Sequence, residues 1–139
     1  MTDTSEHIAS CVCGALRVTA KGDPDVVVAC NCTECQRRTG SPFGVGAYYP
    51  KASIVSIEGE ANSFTRTAET GRSLSNRFCP NCGTAVYWTS DMRPDHIGIA
   101  VGCFTDPSFV APTRTIWTKN QHHWMHFPDE MPSFPEASP

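Results

Sequence analysis

Phe78-Cys79-Pro80-Asn81-Cys82-Gly83 lies in the middle of the chain, and Cys11-Val12-Cys13-Gly14 lies near its start. The first stretch is a zinc knuckle by type, because Pro and Gly shape a tight turn in which two sulfurs and several backbone N–H groups converge. It lacks two ligands, which the second stretch can supply from another loop. The two stretches therefore predict one closed, structural four-thiolate site. Sulfur count alone also allows iron, although zinc is the more common ion in such knuckles.

A second cluster, Cys30-Asn31-Cys32-Thr33-Glu34-Cys35, has three thiols in a short segment. Such local spacing costs little loop-closure entropy, so all three can bind one ion. Three protein ligands leave a fourth position for water or substrate, as in catalytic zinc sites. A closed site is the alternative, with Cys103, Glu34, a histidine or a thiolate of the other site as fourth ligand. The spacing leaves both interpretations open.

Length and charge limit the functional classes. A chain of 139 residues suits a single domain. The formal net charge of −3 disfavours nucleic-acid binding, which usually needs a basic stripe. We predict a flexible N-terminus over residues 1–10, one zinc-binding domain over residues 11–127, and a Pro-rich tail without regular structure over residues 128–139.

The redox state of the cysteines depends on the compartment. No apolar run approaches the roughly 20 residues that cross a bilayer, so no membrane partner is expected. The first ten residues, MTDTSEHIAS, lack the basic and apolar regions of a secretory signal. A cytoplasmic location is the default expectation, and in that reducing compartment closely spaced cysteines favour metal binding over disulfides. A single redox C-x-x-C pair would not explain the remaining cysteines.

Secondary-structure signals predict a mainly β domain with one or two short helices. Short runs between Gly, Pro, Asn and Asp residues predict strands. The predicted strands are Ala15–Ala20, Val26–Ala29, Phe43–Tyr49, Ile54–Glu58, Ser63–Thr67, Ser73–Phe78, Thr84–Thr89, His96–Phe104 and Arg114–Trp117. The best helix candidate is Thr33–Thr39, with Thr33 as N-cap and Gly40 after its end. Cys32 and Cys35 would then lie where backbone N–H groups favour thiolates.

Parity along the predicted strand from His96 separates two faces. Ile97, Ile99, Val101 and Cys103 share an apolar face that is typical of a core, so Cys103 is expected to pack there as a small hydrophobe. The opposite face has only small residues after His96, which indicates that something packs close against it. Another part of the protein is favoured over a ligand as that partner.

Several polar and aromatic residues have both a structural and a functional interpretation. Arg37 and Arg38 can bind a substrate carboxylate, but a solvated helix face or charge balance for the thiolates is favoured for either alone. In the segment 117–127, Trp117 and Trp124 are expected as core anchors, with His122, His123 and His126 at the surface. Phe43, Tyr48 and Tyr49 suit a core or a cleft equally.

The order of these motifs resembles the glutathione-dependent formaldehyde-activating enzyme family, which also contains centromere protein V. The resemblance rests on CVCG (residues 11–14), CNCTECQRRTGSPFG (30–44), FCPNCG (78–83) and GCFTDP (102–107), and extends from residue 11 to about 127. It implies zinc-pinned, strongly bent antiparallel sheets related to small Rab-associated zinc chaperones. Two departures stand out: Asn31 replaces the family's usual His, and Thr105 replaces an acidic residue before Asp106.

The resemblance also implies two zinc ions per chain. A structural zinc would be held by Cys11, Cys13, Cys79 and Cys82. A second zinc would be held by Cys30, Cys32 and Cys35, where catalysis is proposed. This implication agrees with the division of the cysteines by spacing and favours an open second site.

A chemical hypothesis follows from an open second site. A thiol such as glutathione would bind there as a thiolate and add to formaldehyde or another small electrophile, which defines a carbon–sulfur lyase because the reverse step breaks a carbon–sulfur bond. The carbonyl oxygen would need a separate donor, for which Arg37, Arg38 or a histidine within residues 122–126 are candidates. The alternative is a non-enzymatic, zinc-stabilised module that binds a protein partner.

Overall fold

The computed structural model describes residues 5–68 and 70–138. Within these ranges ten β-strands form two sheets, and a single α-helix accompanies them. The mainly β prediction is therefore confirmed. The described helices include none that is long and apolar enough to cross a membrane.

Most element bounds agree closely with the predicted ones. The strands are β1 Glu6–Ser10, β2 Arg17–Lys21, β3 Val26–Cys30, β4 Gly44–Pro50, β5 Ile54–Glu58, β6 Asn62–Thr67, β7 Ser73–Phe78, β8 Ala85–Ser90, β9 His96–Ala100 and β10 Arg114–Ile116. Helix α1 spans Thr33–Thr39, and short 3₁₀ helices span Lys51–Ser53, Val101–Phe104 and Thr118–Asn120.

The smaller sheet has the order β1-β2-β5 and is antiparallel. Strand β1 corrects, for Glu6–Ser10, the prediction that residues 1–10 are flexible; residues 1–4 lie outside the described residues. One position of this mostly polar strand faces the core: Ala9 pairs with Val18, and both side chains are fully buried. A five-residue strand with a single small apolar contact is hard to recognise by alternation alone.

The larger sheet has the order β10-β3-β4-β9-β8-β7-β6. Its pairs are antiparallel except for β10, which lies parallel to β3. The segment after residue 130 follows the outer edge of β10, where the Thr115 N–H donates to Pro132 O at 3.0 Å and the Phe134 N–H donates to Thr115 O at 3.0 Å. One isolated bridge pairs Thr115 with Ser133. The segment thus covers a sheet edge that would otherwise be open.

The hydrophobic core fills the space between the two sheets. Val18 and Ala20 of the smaller sheet and Tyr49 and Ile99 of the larger sheet belong to one buried cluster. The Tyr49 hydroxyl donates to the Gly22 carbonyl at 2.8 Å, so this buried polar group is satisfied. The core thus packs against one face of the larger sheet, and the opposite face lies outside the core.

The opposite face of the larger sheet carries glycines at positions 46 and 98, so no side chain projects from the sheet there. A Cβ atom on Gly98 would lie 2.2 Å from Trp88 Nε1, and a Cβ atom on Gly46 would lie 2.6 Å from Trp88 Cζ2. The predicted close packing against the small face of β9 is confirmed, and the partner is the Trp88 indole from the neighbouring strand.

Strand β9 ends earlier than predicted. It stops at Ala100, and Val101–Phe104 form a 3₁₀ helix that ends in a left-handed residue, Thr105. Cys103 therefore lies on a helical turn rather than on a strand face. It still packs against the core cluster, and its Sγ lies 3.7 Å from the Ala85 carbonyl oxygen. Cys103 therefore has the core environment that strand parity predicted, although its local structure is a 3₁₀ helix and not a strand.

Candidate metal centres and the adjoining cavity

Four cysteines from distant parts of the chain converge into one cluster. The Sγ atoms of Cys11, Cys13, Cys79 and Cys82 all lie within 4.8 Å of one another. Both the Cys11–Cys13 and the Cys13–Cys79 sulfur pairs are 3.6 Å apart. A tetrahedral zinc with Zn–S bonds near 2.3 Å requires sulfurs about 3.8 Å apart, so this four-cysteine cluster can hold a metal ion such as zinc.

Two turns with the same hydrogen-bond plan build the four-cysteine cluster. The Cys11 N–H donates to Leu16 O and the Gly14 N–H donates to Cys11 O; likewise, the Cys79 N–H donates to Thr84 O and the Gly83 N–H donates to Cys79 O. Gly14 and Gly83 have φ angles of 82° and 79°, a conformation that glycine adopts without strain. The turns belong to different sheets, so this cluster ties the sheets together.

Polar contacts favour ionisation of two sulfurs of the four-cysteine cluster, those of Cys13 and Cys82, whereas the pKa of Cys79 is raised. A hydrogen bond with the Thr84 hydroxyl, at 3.2 Å, is the main cause that lowers the pKa of Cys82 to about 5. A hydrogen bond with the Asn81 side chain is the main cause that lowers the pKa of Cys13. Metal binding requires thiolates, so these contacts favour the ligating form.

The three-cysteine cluster is built locally around the start of helix α1. Cys30 ends β3, Cys32 caps α1 and Cys35 lies in its first turn. Their Sγ atoms lie within 4.8 Å of one another. Among the described residues, no further Cys, His, Asp or Glu completes this group. This three-cysteine cluster can hold a metal ion with three protein ligands.

The helix terminus and the neighbouring thiols favour charge on one sulfur. Cys32, rather than the predicted Thr33, is the N-cap, and its Sγ accepts from the Cys35 N–H at 3.3 Å. Hydrogen bonds from Cys30 and then Cys35 lower the pKa of Cys32 to about 2, while the pKa of Cys30 is raised by its bonds to the same two thiols. Without a metal, the cluster therefore holds its negative charge on Cys32.

Asn31 anchors this loop to the end of the larger sheet. It is fully buried, and its Nδ2 donates to Thr115 Oγ1 and to Ile116 O, each at 2.8 Å. Its Oδ1 is buried without a hydrogen-bond partner among the described residues. The residue that replaces the family's usual His thus fixes the loop between Cys30 and Cys32 to β10.

Gln36 connects helix α1 to the segment after β10. Its Nε2 donates to Asn31 O at 2.9 Å and to Asn120 O at 3.0 Å. Its Oε1 lies 3.0 Å from His122 Nε2. Gly40 ends the helix in the left-handed conformation, as predicted. The residues that follow the cluster therefore hold its helix in place.

A cavity of about 140 Å³ opens beside the three-cysteine cluster. All three cysteines line it. Apolar walls come from Leu74, Trp88, Met92, Ile116 and Trp117, and polar groups come from Glu34, Arg38, Tyr48, Arg66 and Asn76. A largely apolar cleft with a few convergent polar groups is the usual form of a small-molecule site.

The two adjacent arginines have different environments. Arg37 is mostly exposed and lies 3.8 Å from Glu34, so it occupies the solvated helix face. Arg38 lines the cavity, with its guanidinium 4.6 Å from the Trp88 ring centroid. A Cβ atom on Gly44 would lie 2.5 Å from Arg38 Nη2, so glycine at this position leaves room for the guanidinium.

The segment after β10 contributes less than predicted to the core. Trp117 is half-buried and lines the cavity instead of belonging to the core cluster, and Trp124 is 56% exposed, so the prediction that both are core anchors is wrong. His122, His123 and His126 are exposed and do not line the cavity. Phe43 packs edge-to-face on Phe127, with ring centroids 5.2 Å apart.

Several cavity residues were not identified from the sequence, and the three with polar atoms that matter most for a ligand lie on separate strands. Arg66 lies on β6, Asn76 on β7 and Trp88 on β8. Arg66, Asn76 and Trp88 line the same cavity as the cysteines because the larger sheet curves. Residue spacing within a strand does not predict that curvature. The small face of β9 was the one indirect signal, since it required a large neighbour such as Trp88. Tyr48 had been assigned equally to core or cleft, and it lies in the cleft.

A mainly β fold with one group of four and one group of three clustered cysteines defines a class of protein with two candidate metal sites. The family model described as "Glutathione-dependent formaldehyde-activating enzyme" matches residues 6–120. The chain therefore belongs to the glutathione-dependent formaldehyde-activating enzyme family.

A solved structure shares the fold. It is a Rhodobacter sphaeroides protein that is 19% identical in sequence, with a TM-score of 0.56 over 76% of this chain and 91% of the other. At this level of identity the similarity concerns the fold alone. No curated protein matches the chain.

Proposed function

We propose that this protein is a zinc-dependent carbon–sulfur lyase that joins a thiol such as glutathione to formaldehyde or another small electrophile. One observation carries the proposal: the three-cysteine cluster lacks a fourth ligand among the described residues and opens on a cavity. The family description names glutathione and formaldehyde as the relevant chemistry. A cytoplasmic location, where glutathione is reduced, remains a prediction.

The two clusters have different proposed roles. Cys11, Cys13, Cys79 and Cys82 would hold a structural zinc, since their four sulfurs complete a tetrahedron. Cys30, Cys32 and Cys35 would hold a second zinc and constitute the catalytic site. When bound there, zinc would lower the pKa of a substrate thiol at the remaining position and so supply a thiolate at neutral pH.

The cavity has groups that suit a thiol carrying carboxylates. Arg38 and Arg66 both line it, and neither forms an ion pair within the described part of the chain. Guanidinium groups bind carboxylates through charge-assisted hydrogen bonds. Glu34 lines the same cavity and would complement an ammonium group. Glutathione carries carboxylates and an ammonium as well as its thiol.

The apolar walls have a separate role. Trp88, Leu74 and Met92 border the cavity and reduce the water around the reacting atoms. Low water content strengthens the electrostatic interactions of the guanidinium groups and protects a reactive electrophile from hydration. The chain's own residues would therefore bind and orient the thiol, while the cysteines hold the metal.

Cobalt substitution combined with thiol titration tests the proposal. Protein loaded with two cobalt ions should change its absorption spectrum when glutathione is added, and Cys35→Ser should remove that change. Metal analysis should give two ions for the wild type and one for the variant. A spectrum that glutathione does not alter would favour the alternative, in which metal only stabilises a protein-binding module.

A second assay measures the reaction itself. Adduct formation from glutathione and formaldehyde should proceed faster with the wild type than without protein, and Cys35→Ser should reduce the rate to the uncatalysed level. Cys103→Ser is the matched control, because Cys103 lies outside both clusters. Full activity in Cys35→Ser would contradict the proposal.

A further inference from the structure

Addition of a thiolate to an aldehyde requires a proton donor for the carbonyl oxygen. As the carbon–sulfur bond forms, the C=O π electrons move onto oxygen, and this developing charge must be stabilised and protonated. A cluster of thiolates is itself negative and a poor carbonyl activator. The donor must therefore be another group that lines the cavity beside the three-cysteine cluster.

The candidate donors suggested by the sequence do not provide this proton. The histidines of segment 122–126 do not line the cavity, and neither does Arg37. Arg38 does line it, but a guanidinium keeps its proton throughout the accessible pH range and can only donate a hydrogen bond. Within the described lining, Tyr48 is the tyrosine whose hydroxyl is available as a proton donor.

The Tyr48 side chain is held by contacts on two sides. Trp88 Nε1 donates a hydrogen bond to the Tyr48 hydroxyl oxygen at 3.3 Å, and the two rings are edge-to-face with centroids 6.1 Å apart. The Arg93 guanidinium lies 5.1 Å from the centroid of the Tyr48 ring. Glycines at positions 46 and 98 make room for the indole that holds the hydroxyl. The hydroxyl is therefore positioned by packing rather than free to rotate away.

The contact with Trp88 determines whether the Tyr48 hydroxyl acts as a hydrogen-bond donor or acceptor. The indole N–H can only donate, so the Tyr48 oxygen must accept, and its own proton needs another acceptor. No acceptor for that proton lies within hydrogen-bond distance in the part of the chain that the structure describes. A half-buried hydroxyl with an unused proton beside a ligand cavity is suited to donate to a ligand oxygen.

We propose that Tyr48 is a catalytic residue that donates its hydroxyl proton to the carbonyl oxygen of the electrophile. The inference rests on the proposed function. The substrate sulfur attacks the carbonyl carbon, a carbon–sulfur bond forms, and the C=O π bond breaks toward oxygen. The Tyr48 O–H bond breaks as oxygen takes the proton, giving the S-hydroxymethyl product. The phenolate left behind is stabilised by the Trp88 N–H and recovers a proton from water. This proton replaces the one that the substrate thiol released when it became a thiolate, so no net proton is consumed.

The environment of Tyr48 is consistent with this role. Burial raises its pKa above the ordinary value, and the hydrogen bond from Trp88 only partly offsets this increase. The hydroxyl therefore stays protonated at neutral pH and is ready to donate. Tyr49 offers a contrast, because its hydroxyl lies in the core and already donates to the Gly22 carbonyl.

Tyr48→Phe tests the proposal because it removes only the hydroxyl. After subtraction of the uncatalysed rate, we expect the rate of adduct formation from glutathione and formaldehyde to be about 100-fold lower than in the wild type. This decrease lies within the range typical of general acid catalysis. Glutathione affinity, measured by titration of the cobalt-substituted protein, should stay within about threefold of wild type. Tyr49→Phe is the matched control and should keep its rate, since its hydroxyl lies outside the cavity.

A second electrophile separates proton donation from general packing. Iodoacetamide reacts with a thiolate by displacing iodide and needs no proton on oxygen, so Tyr48→Phe should form the carboxamidomethyl product of glutathione as fast as wild type. Equal slowing of both reactions would overturn the proposal and assign Tyr48 a structural role. A Tyr48→Phe rate with formaldehyde within threefold of wild type would also overturn it.

Failure of the proposed function has a different signature. If the wild-type protein neither binds glutathione at the cobalt-substituted cluster nor accelerates adduct formation, the proposed function is wrong and the role of Tyr48 falls with it. If the wild type is active and Tyr48→Phe is equally active, only the role of Tyr48 is overturned.

Discussion

The two cysteine clusters use the same side chain for different structural purposes. The four-cysteine cluster joins residues as distant as Cys13 and Cys79, which are 66 positions apart, and brings together turns of both sheets. The three-cysteine cluster lies within one short loop and helix start. A metal ion that closes a long loop stabilises the fold, whereas one held by neighbours closes little chain and is available for chemistry. Sequence separation between the cysteines is thus the property that distinguishes the two roles proposed for the clusters.

The surroundings of the clusters differ as well. Cys13 and Cys82 are exposed, and the sulfurs of their cluster meet turn backbone and the Thr84 hydroxyl. Cys32 is only 9% exposed, and its cluster borders a cavity with aromatic walls and guanidinium groups. The four-cysteine cluster offers four protein ligands to a metal ion, whereas the three-cysteine cluster offers three among the described residues.

Loss of a ligand from the four-cysteine cluster should have the largest effect. Cys79→Ser places a hydroxyl at a fully buried position and removes one of four thiolates. Structural zinc typically contributes about 10–16 kcal/mol to folding, so we expect the variant to be unfolded or to melt far below wild type. Circular dichroism and zinc content measure this outcome. Cys103→Ser should retain both ions and a wild-type melting temperature, and a folded Cys79→Ser would contradict the structural role.

Loss of a ligand from the three-cysteine cluster should abolish activity but preserve the fold. Cys35→Ser removes one of three local ligands, while the four-cysteine cluster still joins the sheets. We expect one zinc ion per chain, near-native circular dichroism and at least about a 100-fold loss of adduct formation. A variant that unfolds as Cys79→Ser does would remove the distinction between the two clusters.

Asn31→Ala should show how far the three-cysteine loop depends on the rest of the fold. The substitution removes the donor to the buried Thr115 Oγ1, whereas Ile116 O keeps its hydrogen bond from the backbone N–H of residue 31. Leaving buried groups unpaired typically costs about 1–3 kcal/mol, so a moderate decrease in melting temperature and weaker zinc binding at the three-cysteine cluster are expected. Unchanged zinc affinity at that cluster would show that the loop holds its geometry without this anchor.

Arg66→Gln should have a smaller effect that is confined to substrate recognition. If the guanidinium binds a carboxylate of glutathione, its removal should raise KM for glutathione about 10-fold, in line with a charge-assisted hydrogen bond. KM for 2-mercaptoethanol, which has no carboxylate, should not change. Arg37→Gln is the matched control because Arg37 lies on the solvated helix face. Equal effects on both thiols would argue against carboxylate recognition.

Local features of the site could be predicted from the sequence because they arise from nearby residues. Helix α1 has the predicted bounds, and Gly40 ends it in the predicted left-handed conformation. The grouping of Cys30, Cys32 and Cys35 follows from spacing within a single turn. Errors at this level were small: Cys32 replaces Thr33 as N-cap, because its sulfur accepts the backbone hydrogen bond that a hydroxyl was expected to take.

Features that depend on packing were missed or only partly inferred. The position of strand β1 is determined by its pairing with β2, and the polar sequence of β1 does not predict that pairing. Trp124 is exposed although its aromatic type suggested a core role. Arg66 and Trp88 reach the cavity from strands at the far side of the larger sheet. Their roles follow from strand order and register, which the residue pattern of each strand does not specify.

The sequence by itself therefore determined the β-rich class, the helix beside the cysteines, and the division of seven cysteines into a group of four and a group of three, because motif spacing and local backbone geometry carry that information. Only the tertiary structure decided what surrounds the group of three. The curvature and strand order of the larger sheet bring Tyr48, Arg66 and Trp88 to one cavity. Long-range strand pairing places side chains from separate segments beside the three-cysteine cluster, and residue spacing within one segment does not specify that pairing.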